Sequence, residues 1–327
     1  MPTVSIVVPT YERRESLARL LAAIAVQTHP AQDLELIIVD DGSRDGTREW
    51  LGSQTLPFPS RVIAQEHGGA GAARNRGVAA ATGALIVFFD DDVVPEPTAV
   101  AAHVAAHVAR HDAVVIGPML APSQWRRPAW IRWEEDRLLD QYRALEAGAY
   151  ACTPRQFFTA NASLSRAAFL AAGGFDAAFR RAEDVELGYR LRARGATFVY
   201  EPRARVVHYP TRTFASWRGT PYQYGRGDVA MDREKGHEAL GLAFLEFRSR
   251  HPLSRALARW CVGRRLAFVA VTLALRGLVR AGDAVGERHV TGRALSALFH
   301  LLYWQGVADA LGGRERVWRS LAATRAA

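Results

Sequence analysis

Short apolar runs and helix-patterned stretches alternate through the first 120 residues, and that alternation leaves few folds open. The apolar runs are TVSIVVPT (3–10), LELIIVDD (34–41), SRVIAQEH (60–67) and ALIVFFDDD (84–92). Between them, RESLARLLAAIAVQ (14–27) has Leu and Ala at helical spacing, SRDGTREWLGSQ (43–54) holds a short helix, and GAARNRGVAAATG (71–83) holds another. Continuous apolar runs of this length read as strands buried on both faces. Strand–helix alternation predicts an α/β fold: a mostly parallel, Rossmann-like sheet flanked by helices, with ligands beyond the carboxyl ends of the strands.

The polar clusters lie at those ends: Pro9-Thr10-Tyr11-Glu12, Asp40-Asp41-Gly42-Ser43 and Asp90-Asp91-Asp92. Three adjacent carboxylates repel, so at least one must be paired with a cation or have a raised pKa. A solvated strand end is the bland alternative for a lone Asp triplet; convergence of three strand ends argues against it.

Further along, AVVIGPML (113–120), QFFTANASLS (156–165) and ATFVYEP (196–202) read as strands, and AEDVELGYRLRARG (182–195) as a helix closed by Gly195. On that helix Asp184, Leu187, Gly188 and Leu191 share one face, so the apolar members carry Asp184 toward a cleft; Glu183 lies on another face. Both acids also suit the positive end of the helix dipole. With the Asp triplet on a separate strand end, they look like one carboxylate site for metal and another for proton abstraction.

GAGAAR (69–74) begins like a dinucleotide fingerprint, but Arg74 stands where its third glycine belongs, which disfavours a nicotinamide dehydrogenase. Arg74 and Asn75, near a helix N-terminus, are instead candidates for holding an anionic or base-like group, with a plain surface arginine as the alternative.

A hydrophobic content of 49% and a charged content of 23% indicate a globular chain. Cys152 and Cys261 are too few and too separated for a zinc site or disulfide framework, which fits a reducing compartment. No basic n-region precedes the first strand, so no signal peptide is visible. The net charge of +9 is segregated: residues 241–327 hold 14 Arg against 5 acidic residues, whereas 28 basic and 28 acidic residues cancel before them. We therefore expect a catalytic domain over 1–235, with a donor half to about 120 and an acceptor half beyond it, then a basic helical region over 236–327. A basic tail points to an anionic partner. Nucleic acid is disfavoured, because Tyr303, Trp304 and Trp318 sit in apolar runs rather than among arginines as stacking platforms.

Taken in order, VSIVVPTYER, LELIIVDDGSRDGT, GGAGAARNRGVAAATGALIVFFDDDVVPEP, FTANASLSRAAFLAAGGFD and AEDVELGYRLRARG resemble the inverting nucleotide-sugar glycosyltransferases of family 2, over roughly residues 3–210. The resemblance implies the A-type glycosyltransferase fold and a role in glycan biosynthesis. It implies that Pro9, Thr10, Tyr11, Glu12 and Asp41 line the nucleoside pocket with Asp41 on the base, a UDP- or dTDP-sugar donor, and Arg74, Asn75, Asp90 and Asp91 on the nucleotide side. Asp92, in the Asp-x-Asp motif, would bind Mn2+ or Mg2+ with His208 as a further ligand. Asp184, beside Glu183, would be the general base, and Asn161, Trp217 and Arg226 are expected on the acceptor, a glycan, lipid-linked or small molecule. The Gln-x-x-Arg-Trp motif of the processive polysaccharide synthases is missing, which favours transfer of a single sugar. A catalytically silent nucleotide-sugar-binding or scaffold protein is the alternative reading.

Two apolar runs in the tail, 265–276 and 295–311, are too short or too polar to span a bilayer. They fit either a helical subdomain packed on the catalytic core or a monotopic attachment on an anionic inner membrane face. The expected location is accordingly cytoplasmic, free or peripheral on the membrane.

Overall fold

All four N-terminal apolar runs form parallel strands in a computed structural model that describes residues 4–179 and 181–324; Thr3, expected in the first strand, lies outside the described residues. Strand β1 (Val4–Thr10) leads through helix α1 (Arg14–Ala25) to β2 (Leu34–Asp40), then α2 (Thr47–Gly52), β3 (Ser60–Ala64), α3 (Ala70–Ala80) and β4 (Leu85–Phe89). Side chains alternate between two cores. Val4, Ile6 and Val8 of β1 join Leu36, Ile38, Val87, Phe89 and the inner face of α1 on one side. Val7 joins Ile37, Val39, Ile86 and Phe88 on the other. Both faces of β1, β2 and β4 are covered, as their unbroken apolar runs require; β3, expected to be buried as well, stands at the sheet edge and is largely exposed.

The chain continues through β5 (Val93–Pro95), α4 (Ala99–Ala109), β6 (Ala113–Ile116), β7 (Met119–Leu120), α5 (Ala129–Glu146), β8 (Asn161–Ser165), α6 (Arg166–Ala171), α7 (Glu183–Ala193), β9 (Thr197–Tyr200) and β10 (Val206–His208). The main sheet runs β3-β2-β1-β4-β8-β6-β9, with β8 antiparallel to both neighbours. Strand order reverses at β1/β4, which opens a crevice beyond their carboxyl ends. Pro9 is tolerated in central β1 because pairing with β4 ends at Val7↔Phe88, so its missing N–H has no partner to lose on that side. The expected strand 113–120 is broken into β6 and β7 at Gly117, where a Cβ would lie 2.0 Å from the Ala204 carbonyl oxygen. Close packing of α3 on β1 rests on Gly77, whose Cβ would meet Val7 Cγ1 at 2.4 Å; the glycine missing at position 74 is supplied one turn later.

A second sheet, β5-β10-β7, fixes the end of the Asp triplet. Its register sets His208 opposite Val93, and the Tyr209 amide donates to the Asp92 carbonyl at 2.8 Å.

The chain divides into two compact units, Met1–Trp125 with Glu135–Pro210, and Arg126–Glu134 with Thr211–Ala327. The second contains α8 (Phe214–Lys235), α9 (Ala239–Ser249), α10 (Pro252–Cys261), α11 (Arg265–Ala284), α12 (Arg288–Leu311) and α13 (Arg314–Ala323). This differs from the expected division at 235/236: α8 packs on α12, where a Cβ on Gly225 would approach the Tyr303 carbonyl oxygen to 2.1 Å and one on Gly306 the Tyr222 carbonyl oxygen to 2.1 Å. The apolar run 295–311 is internal, with Leu298, Leu301, Trp304, Val307 and Leu311 buried.

Candidate active site at the strand ends

The three aspartates that end β4 have three different surroundings. Asp90 is partly open and accepts from Arg74 Nη2 at 2.5 Å. Asp91 is buried; Thr10 Oγ1 donates to it at 2.8 Å and Arg13 Nη1 lies 3.4 Å away. Burial raises the Asp91 carboxyl to about 7, against the pull of Arg13. Asp92 accepts from Arg13 Nη1 at 2.6 Å, with His208 Nε2 3.5 Å from its other oxygen. Burial disfavours the charged form of Asp92, but His208 and Arg13 outweigh it and hold the carboxyl below the usual range. The repulsion is thus resolved by one raised pKa and two cationic partners. Arg13, directly after the Thr-Tyr-Glu turn, escaped the sequence reading.

The Glu-Asp pair converges on the same place through Arg74. Far from being a surface arginine, Arg74 is 4% exposed, and its Nη1 donates to Glu183 at 3.2 Å while Nη2 holds Asp90. One guanidinium therefore ties the end of β4 to the start of α7. Leu187, Gly188 and Leu191 are buried, so the expected apolar face of α7 is present and brings Asp184 inward. Burial, then the Glu183 charge, raises Asp184 to about 7, opposed by Arg74 and by the Val185 and Thr159 amides. Glu186, one turn on, is fully buried and takes two hydrogen bonds from Arg190, which also donates to the Gly174 carbonyl. Two non-glycine residues among those described have a left-handed backbone, Glu12 (φ 51°) and Ala182 (φ 59°). Glu12 ends the Pro9–Glu12 cluster at the end of β1, and Ala182 immediately precedes the Glu183–Asp184 pair at the start of α7; such strain recurs at functional sites.

Several expected contacts are already committed within the protein. Asp41 receives Gln65 Nε2 at 2.7 Å, the Gly68 amide at 2.8 Å and the Gly69 amide at 2.9 Å, with His67 Nδ1 2.9 Å away. These contacts tie Asp41 to the 65–69 loop. Asn75 is likewise closed, its amide paired in both directions with the Phe175 backbone at 2.8 Å. Thr10 turns inward onto Asp91, and Pro9 is buried. Exposed Tyr11 instead forms a ring pair with His67 at 4.4 Å between centroids, a surface that the sequence did not reveal.

The acceptor expectations need correction. Asn161 is fully buried and spends its amide on the Pro118 and Ala204 carbonyls and on His103 Nε2. Trp217 is fully buried among Trp133, Phe214 and Phe299. Neither side chain is accessible to an acceptor. Arg226 is exposed on α8.

The chain is 34% identical over 221 residues to a validoxylamine A glucosyltransferase of Streptomyces hygroscopicus subsp. jinggangensis, covering 60% of this chain and 52% of that one. It is 26% identical over 226 residues to a pre-mycofactocin glycosyltransferase of Mycobacterium tuberculosis, covering 68% and 46%. It spans about half the length of these relatives. The fold matches the mannosyltransferase PcManGT from Pyrobaculum calidifontis in complex with GDP-Man and Mn2+ at a TM-score of 0.59 and 21% identity, covering 93% of this chain and 87% of that one. It also matches S. aureus TarS 1-349 in complex with UDP at 0.55 and 16% identity, covering 95% and 92%. The architecture is therefore the A-type glycosyltransferase fold with a helical C-terminal region. The sequence pattern of Glycosyl transferase family 2 matches residues 5–171, just over half the chain, and the protein belongs to that family.

Proposed function

We propose that the chain is an inverting glycosyltransferase that moves one sugar from a nucleoside-diphosphate sugar to an acceptor hydroxyl. The observation that carries this reading is the Arg74 bridge, which gathers Asp90 and Glu183–Asp184 at the β1/β4 crevice. Asp92 and His208 suit Mn2+ or Mg2+: a carboxylate held ionised and an imidazole nitrogen, 3.5 Å apart, offer two protein ligands to a cation that otherwise takes diphosphate oxygens and water. No group of three His, Cys, Asp or Glu side chains able to hold a metal occurs among the described residues, in keeping with a cation shared with the donor. When bound, it neutralises charge that develops on the departing diphosphate.

The chain's own residues do the rest. The donor base stacks beside Tyr11 and meets Asp41 by displacing the exposed His67 ring, which fits a UDP- or dTDP-sugar. Asp90 and Arg74 orient the ribose and diphosphate. Asp184 accepts the proton of the acceptor hydroxyl as its oxygen attacks the anomeric carbon, on the face opposite the breaking bond to the diphosphate. A single displacement with one base inverts the anomeric centre. The acceptor, on our reading, lies at an anionic membrane surface.

A turnover screen of purified protein against common nucleotide sugars, with Mn2+, Mg2+ or EDTA, tests the proposal. Release of one nucleoside diphosphate that stops in EDTA is expected. Absence of turnover with every donor, despite tight UDP binding, would favour the silent sugar-nucleotide binder.

A further inference from the structure

The two apolar runs of the tail end in opposite environments. Run 295–311 is core, but α11 shows an apolar stripe to solvent. Leu266 is 86% exposed and Leu273 55%, and Val269, Ala270, Ala274, Gly277, Leu278 and Ala281 complete the row at helical spacing, all exposed. The opposite face, with Phe268, Thr272, Leu275 and Val279, packs inward. On α10, Leu253 and Trp260 are 74% and 53% exposed and share one stripe with exposed Ala256. A stripe of this size left open on a folded helix marks an interaction surface.

Charge identifies the occupant. Exposed Arg259, Arg264, Arg265 and Arg280 border the two stripes, and no ion pair engages them among the described residues. They belong to the segment that carries the whole +9 excess. No helix among those described is long and apolar enough to cross a membrane. We infer that α10 and α11 form an interfacial platform that binds an anionic lipid bilayer: the apolar stripes enter the acyl boundary, Trp260 sits at headgroup level, and the arginines meet lipid phosphates. A second copy of the chain fits less well, because a two-fold contact through this face would set its arginines against their own copies. The inference deepens the membrane-side reading of the acceptor and is independent of which donor is used.

The test is flotation of the full chain with vesicles of phosphatidylcholine alone or with increasing phosphatidylglycerol, at low and high salt. Binding is expected to require phosphatidylglycerol, to weaken with salt and to fall by about tenfold or more in Leu266→Glu/Leu273→Glu. Val26→Glu and Val108→Glu, equally exposed elsewhere, should bind like wild type. Circular dichroism and donor turnover confirm that each variant is folded. Three results would overturn the inference: no binding to any vesicle, salt-sensitive binding that Leu266→Glu/Leu273→Glu leaves intact, or a solution dimer that this variant dissociates. Turnover without vesicle binding would overturn only the platform, and binding without turnover only the enzymatic reading.

Discussion

At the scale of single residues, the environment of Asp184 sets the pH dependence expected of it as the proposed base. A base acts only when deprotonated, so a carboxyl raised to about 7 in the free protein should make kcat/KM fall about tenfold per pH unit on the acid side and level off above neutrality. Asp184→Asn should lower transfer by about 10²–10⁴-fold with UDP affinity retained. Wild-type rates in this variant, or a flat kcat/KM profile from pH 5 to 8 in the parent, would take the role away from Asp184. Arg74→Ala leaves two carboxylates without their shared cation; the unfolding free energy from urea titration should drop, by less than the about 3–5 kcal/mol typical of a broken buried pair because Asp90 is partly open. Asp90, Asp92 and Asp184 are legible in the sequence because a strand end and a first helical turn determine where they point. Asn161 and Trp217 are not, because their burial depends on distant segments: Pro118 and Ala204 close over one, Trp133 and Phe299 over the other.

Elements carry a second titration. His103 and His107 on α4 reach across to β8, where Ser163 Oγ lies 2.8 Å from His103 Nδ1 and 2.9 Å from His107 Nε2. Burial lowers both imidazoles to about 4. The unfolded chain, with His near 6.5, binds protons that the folded one refuses, so stability is lost as pH falls from about 6.5 to about 4. Asp91 and Asp184, raised to about 7, act in the opposite sense over this range, so the comparison is with His107→Gln: as pH falls from about 6.5 to about 4 the parent's urea midpoint should fall relative to that of the variant, and parallel slopes would remove His107 from this role. Glycines on α8 make a sharper contrast. Gly225→Ala should destabilise by about 1–3 kcal/mol through overpacking at α12, whereas Gly219→Ala, with nothing within 4 Å, should be neutral or stabilising. Equal melting temperatures for the two would remove the close crossing. The segment 213–227, with Pro221 and three glycines, does not read as helix from propensity; packing against α12 overrides it.

For the whole molecule, alternation of apolar runs with helices suffices to read the parallel sheet and the crevice at β1/β4. The boundary between the units escapes such reading because α8 resembles a loop and 126–134 leaves the first unit for the second, a long-range exchange without a compositional mark. We propose that a donor diphosphate and a divalent cation are held together at the strand ends by Asp92. Calorimetric titration of UDP into wild type and Asp92→Ala, each with Mn2+ and with EDTA, tests it most directly. Wild-type affinity should rise at least about tenfold with Mn2+, and Asp92→Ala should bind as weakly with the metal as without it. Equal UDP affinity in all four titrations would contradict the claim.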